Sequence, residues 1–151
     1  MIILGFEVLD SPIVVIVLTI IPLSLSLGLI WEHIGSWRIP YLYFTVIGFL
    51  AIILTRSLPM PGGLPTFVLV LIHGAAGMVL FLLPSILSGN GTTRPGFALV
   101  GLGGALIGLG GLLLSFFKAG RPIVPRGTII RILPVLLMLM TVAFVTGFAL
   151  E

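Results

Sequence analysis

Few residues of this chain could do chemistry, and the richest group lies in the segment from Trp31 to Arg38. That segment holds Glu32, His33, Trp37 and Arg38. A histidine beside a carboxylate can exchange protons near neutral pH, so these side chains could bind a quinone head group or relay protons. An ordinary interfacial loop has the same composition, with Glu32 paired to Arg38 and the tryptophan at the membrane surface. The ordinary loop is the favoured interpretation, and the quinone or proton site is the alternative.

His73 is the second candidate, because it lies inside a long apolar stretch. An ionisable residue inside a membrane is a functional candidate by default. It could bind the iron of a haem b together with Met78 or a ligand from another subunit. His33 is not a suitable second ligand, because the depths of the two histidines in the membrane differ by roughly 15 Å, at 1.5 Å per helical residue. The favoured interpretation of His73 is helix packing, in which the imidazole bonds a hydroxyl or carbonyl of a neighbouring helix.

Other kinds of site have no support in the sequence. The chain has no cysteine, which excludes disulfides, thiolate metal sites, cysteine-bound iron–sulfur clusters and covalent c-type haem. No acidic run suggests a metal site, and no nucleophile lies near a base in the sequence pattern. The glycines of residues 101–111 lack the Gly-Lys-Ser/Thr ending of a phosphate-binding loop. We therefore predict no catalytic residue and no metal site, and no catalytic activity of the chain on its own.

The composition is that of an integral membrane protein. Of 151 residues, 59% are hydrophobic and 7% are charged, and the mean hydropathy is +1.38. Soluble domains have about 25% charged residues, so this chain could not cover a water-facing surface. The net charge of +3 is spread over loops without interleaved aromatic residues, which argues against a nucleic-acid partner.

Five apolar stretches predict an all-α, polytopic helical bundle in a single transmembrane domain, residues 1–151. A bilayer core about 30 Å thick needs about 20 apolar residues per helix. The predicted spans are roughly residues 12–31, 39–55, 65–87, 96–117 and 132–150. Pro22 is expected to kink the first span.

The fourth span is rich in glycine, and its glycines follow helical spacing. One face carries Gly101, Gly104, Gly108 and Gly111, and the roughly opposite face carries Gly96, Gly103 and Gly110. Small residues let the backbones of membrane helices approach closely. Two such faces predict two close partner helices, with the fourth helix central in the bundle.

The basic residues predict an orientation in the cell membrane. Five spans place the amino terminus, the second loop and the fourth loop on one side, where Arg56, Lys118, Arg121, Arg126 and Arg131 lie. Arg38 and Arg94 are on the other side. The positive-inside rule therefore predicts a cytoplasmic amino terminus and an external carboxyl terminus.

The chain has few polar side chains that could do chemistry, and it has many small residues that suit close packing of helices. This combination predicts a small accessory subunit of a larger membrane complex. Its partners would be other membrane subunits and lipids, and a respiratory or photosynthetic electron-transfer assembly is the expected home of such a chain. One alternative is an electron-transfer subunit that binds haem b or quinone itself. A further alternative is a small transporter or channel, in which Pro22, Pro134 and the glycine helix form mobile elements.

Overall fold

The computed structural model describes residues 11–60, 63–118 and 125–151, and this part of the chain is almost entirely helical. Its five α-helices are α1 (Pro12–His33), α2 (Arg38–Ser57), α3 (Leu64–Gly89), α4 (Ala98–Lys118) and α5 (Arg126–Ala149). Single 3₁₀ turns, Gly35–Trp37 and Pro95–Phe97, precede α2 and α4. No β-strand occurs in the described ranges.

Four of the helices are long and apolar enough to cross a membrane. The mean hydropathy of the most apolar 18-residue stretch is 2.8 in Pro12–His33, 1.7 in Gly35–Ser57, 2.4 in Leu64–Gly89 and 2.3 in Gly127–Ala149. The apolar stretch Pro95–Gly111, which includes the first part of α4, is shorter. The chain is a helical membrane bundle, and the predicted fold class is confirmed. The predicted single domain of residues 1–151 stays a prediction.

Two helix boundaries differ from the predicted spans. Helix α5 begins at Arg126 rather than near Ile132, so Arg131 and Pro134 lie inside it. Its first turn is closed by the Pro125 carbonyl, which accepts from the amides of Thr128 (2.9 Å) and Ile129 (3.2 Å). Arginine can extend its charged head to the membrane surface, so a membrane helix can begin with an arginine beyond the apolar core.

The first loop is also slightly shorter than the predicted gap between the spans that end near residue 31 and begin near residue 39. Helix α1 continues to His33, and α2 begins at Arg38. Pro40 does not delay α2, because a proline in the first helical turn gives up an amide that has no intrahelical acceptor.

Residues 1–76 form one compact unit, which contains α1, α2 and the first half of α3. Its buried core joins Leu23, Ile52, Ile72 and Ala76. Gly48 lies against Ile72, because an added Cβ would lie 3.0 Å from the Ile72 Cδ1 and Cγ2 atoms. The missing side chain at Gly48 thus allows α2 to approach α3 closely within this unit.

Three buried serine and threonine hydroxyls of this unit donate to carbonyls of their own helices. Thr19 Oγ1 donates to Val15 (2.7 Å), Ser26 Oγ to Leu23 (3.1 Å), and Thr55 Oγ1 to Ala51 (2.8 Å). Such bonds satisfy polar groups for which lipid offers no water.

Residues 77–151 form the second compact unit, with the rest of α3, α4 and α5. Phe97 and Val100 are fully buried in it. The Phe97 and Phe148 rings meet edge to face with centroids 6.1 Å apart, and Phe144 stacks on Phe148 at 6.3 Å. Edge-to-face and offset-stacked pairs are the favoured aromatic geometries. The contact of Phe97 with Phe148 therefore joins α5 to the 3₁₀ turn before α4.

The turn between α3 and α4 is held by side-chain hydrogen bonds. Asn90 Oδ1 accepts from the Thr92 amide at 3.0 Å and from its hydroxyl at 2.6 Å. Gly91 has a φ of +76°, a conformation that side chains disfavour. This polar turn therefore has one well-defined local geometry.

Candidate functional site

The end of α1, the 3₁₀ turn and the start of α2 bring the polar segment together. Arg38 Nε donates to the Trp31 carbonyl at 2.5 Å, and its guanidinium carbon lies 5.8 Å from the centroid of the Trp31 ring. The carbonyl bond and the cation–π contact fix the arginine against the last turn of α1. The guanidinium is therefore engaged with Trp31, where the sequence suggested Glu32 as its partner.

The rest of the segment lies near the surface of the unit. Trp31, Glu32, Trp37 and Arg38 are exposed, while His33 is half-buried. Exposed tryptophans beside an arginine are typical of the boundary between lipid tails and head groups. The arrangement offers a carboxylate, an imidazole and a fixed cation to a polar head group, and all belong to one short turn.

Tyr41 adds a buried polar group that the sequence analysis did not single out as a site residue. It lies one turn after Arg38 on α2 and is 8% exposed. Its hydroxyl is buried and completes no hydrogen bond within the described chain. The Ser26 hydroxyl of α1 lies close to it and donates its own proton to the Leu23 carbonyl, which leaves the Ser26 oxygen able to accept from Tyr41. Tyr41 therefore adds a buried hydroxyl where α2 lies beside α1.

His73 lies on α3, next to the core residue Ile72, and is half-buried. Among the described residues no three or more metal-ligating side chains gather in one place. The structure therefore places His73 beside the core of the first unit, and its role in haem binding stays a prediction.

The glycines of α4 lie against two different helices of the second unit. On one face, an added Cβ at Gly101 would meet the Ser85 hydroxyl and come within 2.8 Å of the Phe81 carbonyl oxygen. An added Cβ at Gly104 would lie 2.9 Å from the Leu80 carbonyl carbon. Both contacts are with α3. The absence of side chains lets the two backbones touch.

The other face of α4 lies against α5. An added Cβ would lie 3.0 Å from the Phe144 ring at Gly103 and 3.1 Å from Leu136 Cδ2 at Gly110. In the 3₁₀ turn before α4, an added Cβ at Gly96 would lie 2.6 Å from Cβ of Leu150, which follows the end of α5. Gly147 of α5 makes the reciprocal approach, with its added Cβ 2.6 Å from the Val100 amide nitrogen. The described glycine contacts of α4 therefore divide between α3 and α5.

Gly108 continues the face that carries Gly101 and Gly104, but it is exposed. No atom of the described chain lies within 4 Å of the position its Cβ would occupy. Gly111, also exposed, lies one turn further along the same face. The α3 contact therefore uses only the first part of this glycine face.

Comparisons with known proteins identify no relative of this chain. No protein-family model matches it, and no characterised protein or solved structure is detectably similar to it. The functional argument therefore depends on the packing faces and polar groups described above.

Proposed function

We propose that this chain is a small non-catalytic subunit of a larger membrane complex. The observation that supports this most directly is Gly108, which lies on a glycine face partly used by α3 yet meets no described atom within 4 Å. Helix association in lipid depends on close backbone packing, which glycine permits. A mid-helix glycine with no described atom nearby is therefore suited to close packing against a helix of another chain.

Other glycines within the spans have the same open surroundings. Gly28 of α1 and Gly74 and Gly77 of α3 also have no described atom within 4 Å of an added Cβ. Glycine in a helix costs about 1 kcal/mol relative to alanine, a cost that packing against a partner can offset. Several such positions favour a chain that is surrounded by other membrane helices.

The proposed partners are other membrane subunits and the lipids around them. The parent complex that we propose to test first is a respiratory or photosynthetic electron-transfer assembly, where small polytopic subunits are common. We place the chain in the cell membrane with the amino terminus in the cytoplasm, because five basic residues against two favour that orientation.

A mild detergent extract of native membranes tests this proposal. Native electrophoresis, mass spectrometry of co-migrating chains and a visible spectrum would be recorded on the same band. Co-migration with redox subunits, and no haem retained by this chain once isolated, is the expected result. A colourless chain that migrates alone would contradict the proposal and favour the transporter or channel, which solute flux into liposomes would then test.

The second candidate function is a quinone site at the Trp31–Arg38 segment, which the buried Tyr41 hydroxyl favours. A phenol that completes no hydrogen bond within the described part of the chain can donate to a quinone carbonyl. Quinone that co-purifies with the wild-type chain but not with Tyr41→Phe would support this function. Haem binding by His73 is tested in the same preparation, since His73→Ala would abolish a haem absorption band that the wild-type chain retains.

A further inference from the structure

The turn between α3 and α4 carries the only side-chain amide of the chain. Asn90 is the one asparagine in the sequence, which has no glutamine, and Gly91 follows it directly. Both residues are exposed, and so is Thr92. Helix α3 has 26 residues and is about 39 Å long, while the apolar core of a bilayer is about 30 Å thick. If α3 crosses the membrane, the turn that follows it can therefore lie in the aqueous layer.

An Asn-Gly pair can react within itself, because the backbone amide nitrogen of the glycine can attack the side-chain carbonyl carbon of the asparagine. Glycine permits the close approach that this attack needs, since it has no Cβ. No described atom lies within 4 Å of the position that a Cβ of Gly91 would occupy. The Gly91 amide donates to the Ser88 carbonyl over 3.3 Å, which is long for a hydrogen bond. The nucleophile is therefore unshielded and weakly held.

The side-chain carbonyl of Asn90 is held by two donors from Thr92. Asn90 Oδ1 accepts from the Thr92 amide at 3.0 Å and from the Thr92 hydroxyl at 2.6 Å. Negative charge develops on this oxygen when a nucleophile adds to the amide carbon, and donors that are already in place stabilise such charge. The hydroxyl of Thr93 lies instead 3.3 Å from the Ser88 hydroxyl. The hydroxyl of Thr92 is therefore the one that can assist the attack.

We propose that Asn90 is a self-modification site, at which the chain converts this asparagine to aspartate or isoaspartate with the assistance of Thr92. The Gly91 amide nitrogen forms a bond to Asn90 Cγ, and the Cγ–Nδ2 bond breaks. The side-chain nitrogen leaves as ammonia, with the proton of the Gly91 amide. Water then adds to one of the two carbonyls of the cyclic imide. Opening at Cγ gives aspartate, and opening at the Asn90 backbone carbonyl gives isoaspartate.

The two products have different effects on the turn. Both add a negative charge next to the carboxyl end of α3, where the helix dipole disfavours an anion. Aspartate keeps an oxygen that can accept from Thr92, whereas isoaspartate adds a methylene group to the backbone. The amides of Thr92 and Thr93 donate to the Leu87 carbonyl at 2.9 and 3.2 Å, and the backbone between these partners passes through Asn90. Isoaspartate is therefore expected to break these bonds at the end of α3.

The test follows the intact mass of the purified full chain in a neutral detergent at mildly alkaline pH. Replacement of the amide by a carboxyl group adds about 1 Da. Any such gain belongs to Asn90, because the chain has no other side-chain amide. The wild-type chain is expected to gain this mass over days to weeks and to release an equal amount of ammonia. A wild-type chain of unchanged mass would overturn the proposal.

Thr92→Val tests the assistance, since it keeps the shape of the side chain and the backbone amide but loses the hydroxyl donor. It is expected to slow the conversion about tenfold, the size of one hydrogen bond to a developing charge. Thr92→Ser keeps a hydroxyl and is expected to react at nearly the wild-type rate. Thr93→Val is the matched control in the same turn and is expected to leave the rate unchanged.

Circular dichroism checks that each variant is folded, and Thr92→Ala replaces Thr92→Val if the latter does not fold. A wild-type rate in the variant that lacks the Thr92 hydroxyl would overturn the assistance by Thr92. Equal slowing in Thr93→Val would overturn it as well, because the effect would then come from the turn as a whole.

Discussion

Gly104 of α4 lies directly against the backbone of Leu80 in α3. An added Cβ at Gly104 would lie 2.9 Å from the Leu80 carbonyl carbon and 3.0 Å from its oxygen. Both atoms are backbone, so no side-chain rotation could make room for a larger residue. This contact sets how closely α3 and α4 approach in the second unit.

Gly104→Leu is therefore expected to destabilise the isolated chain. Overpacking of a tight contact costs about 1–3 kcal/mol, and a clash with backbone belongs at the upper end. Gly108→Leu is the matched control on the same helix face and is expected to change stability by less than about 0.5 kcal/mol. Reversible unfolding in detergent, followed by circular dichroism, measures both. If the two variants lost the same amount of stability, that result would contradict the contact between Gly104 and α3.

Gly147→Ala tests the α4–α5 contact with the smallest possible change. Its methyl group would lie 2.6 Å from the Val100 amide nitrogen and 2.7 Å from Val100 Cγ2. We expect a loss of about 1–3 kcal/mol, although alanine favours a helix over glycine by about 1 kcal/mol. Gly28→Ala, at an open position of α1, is expected to be neutral or stabilising, and reversible unfolding in detergent measures both variants. A stabilised Gly147→Ala chain would exclude the close α4–α5 approach.

A double-mutant cycle tests the contact of Gly48 with Ile72 in the first unit. Gly48→Leu alone is expected to destabilise the chain, because the space for its side chain is filled by Ile72. Ile72→Ala alone creates a cavity in the core that Ile72 shares with Leu23, Ile52 and Ala76. The combined variant is expected to recover about 1–3 kcal/mol relative to the sum of the two losses. Strict additivity in denaturant titrations would show that the two residues do not touch.

Tyr41→Phe is expected to leave the isolated chain as stable as the wild type, or more stable by about 1 kcal/mol. The lost hydroxyl is buried and makes no hydrogen bond in the described chain, so its removal relieves a desolvation cost. Thermal unfolding of the two proteins without added ligand measures this. A marked loss of stability would mean that the hydroxyl is bonded in the folded protein, and the proposed quinone donor would then be unavailable.

The periodicity of the glycines predicts faces but not partners. A rotation of 100° per residue is enough to place Gly101 and Gly104 on one side of α4 and Gly103 on another. Which helix covers each face depends on the paths of the loops, which periodicity does not contain. The surroundings of Gly108 also depend on the folded chain and not on the position of this glycine in the repeat.

The polar groups were harder to predict from the sequence. Glu32 is a reasonable partner for Arg38 by charge, but the short turn after α1 brings the Trp31 carbonyl and ring to the guanidinium. The polar surroundings of the Tyr41 hydroxyl depend on the burial of a single atom. Side-chain rotamers decide such burial, and the residue pattern does not encode them directly.

The account depends most on whether another chain covers Gly108. The direct measurement is native electrophoresis of membranes that carry either the wild-type chain or Gly108→Leu, with Leu102→Phe as a control on an exposed position of the same helix. We predict that the wild type and Leu102→Phe migrate with other membrane subunits, while Gly108→Leu is inserted and folded but migrates alone. A wild-type chain that migrates alone, or a Gly108→Leu chain that assembles like the wild type, would contradict the proposed role as a subunit of a larger complex.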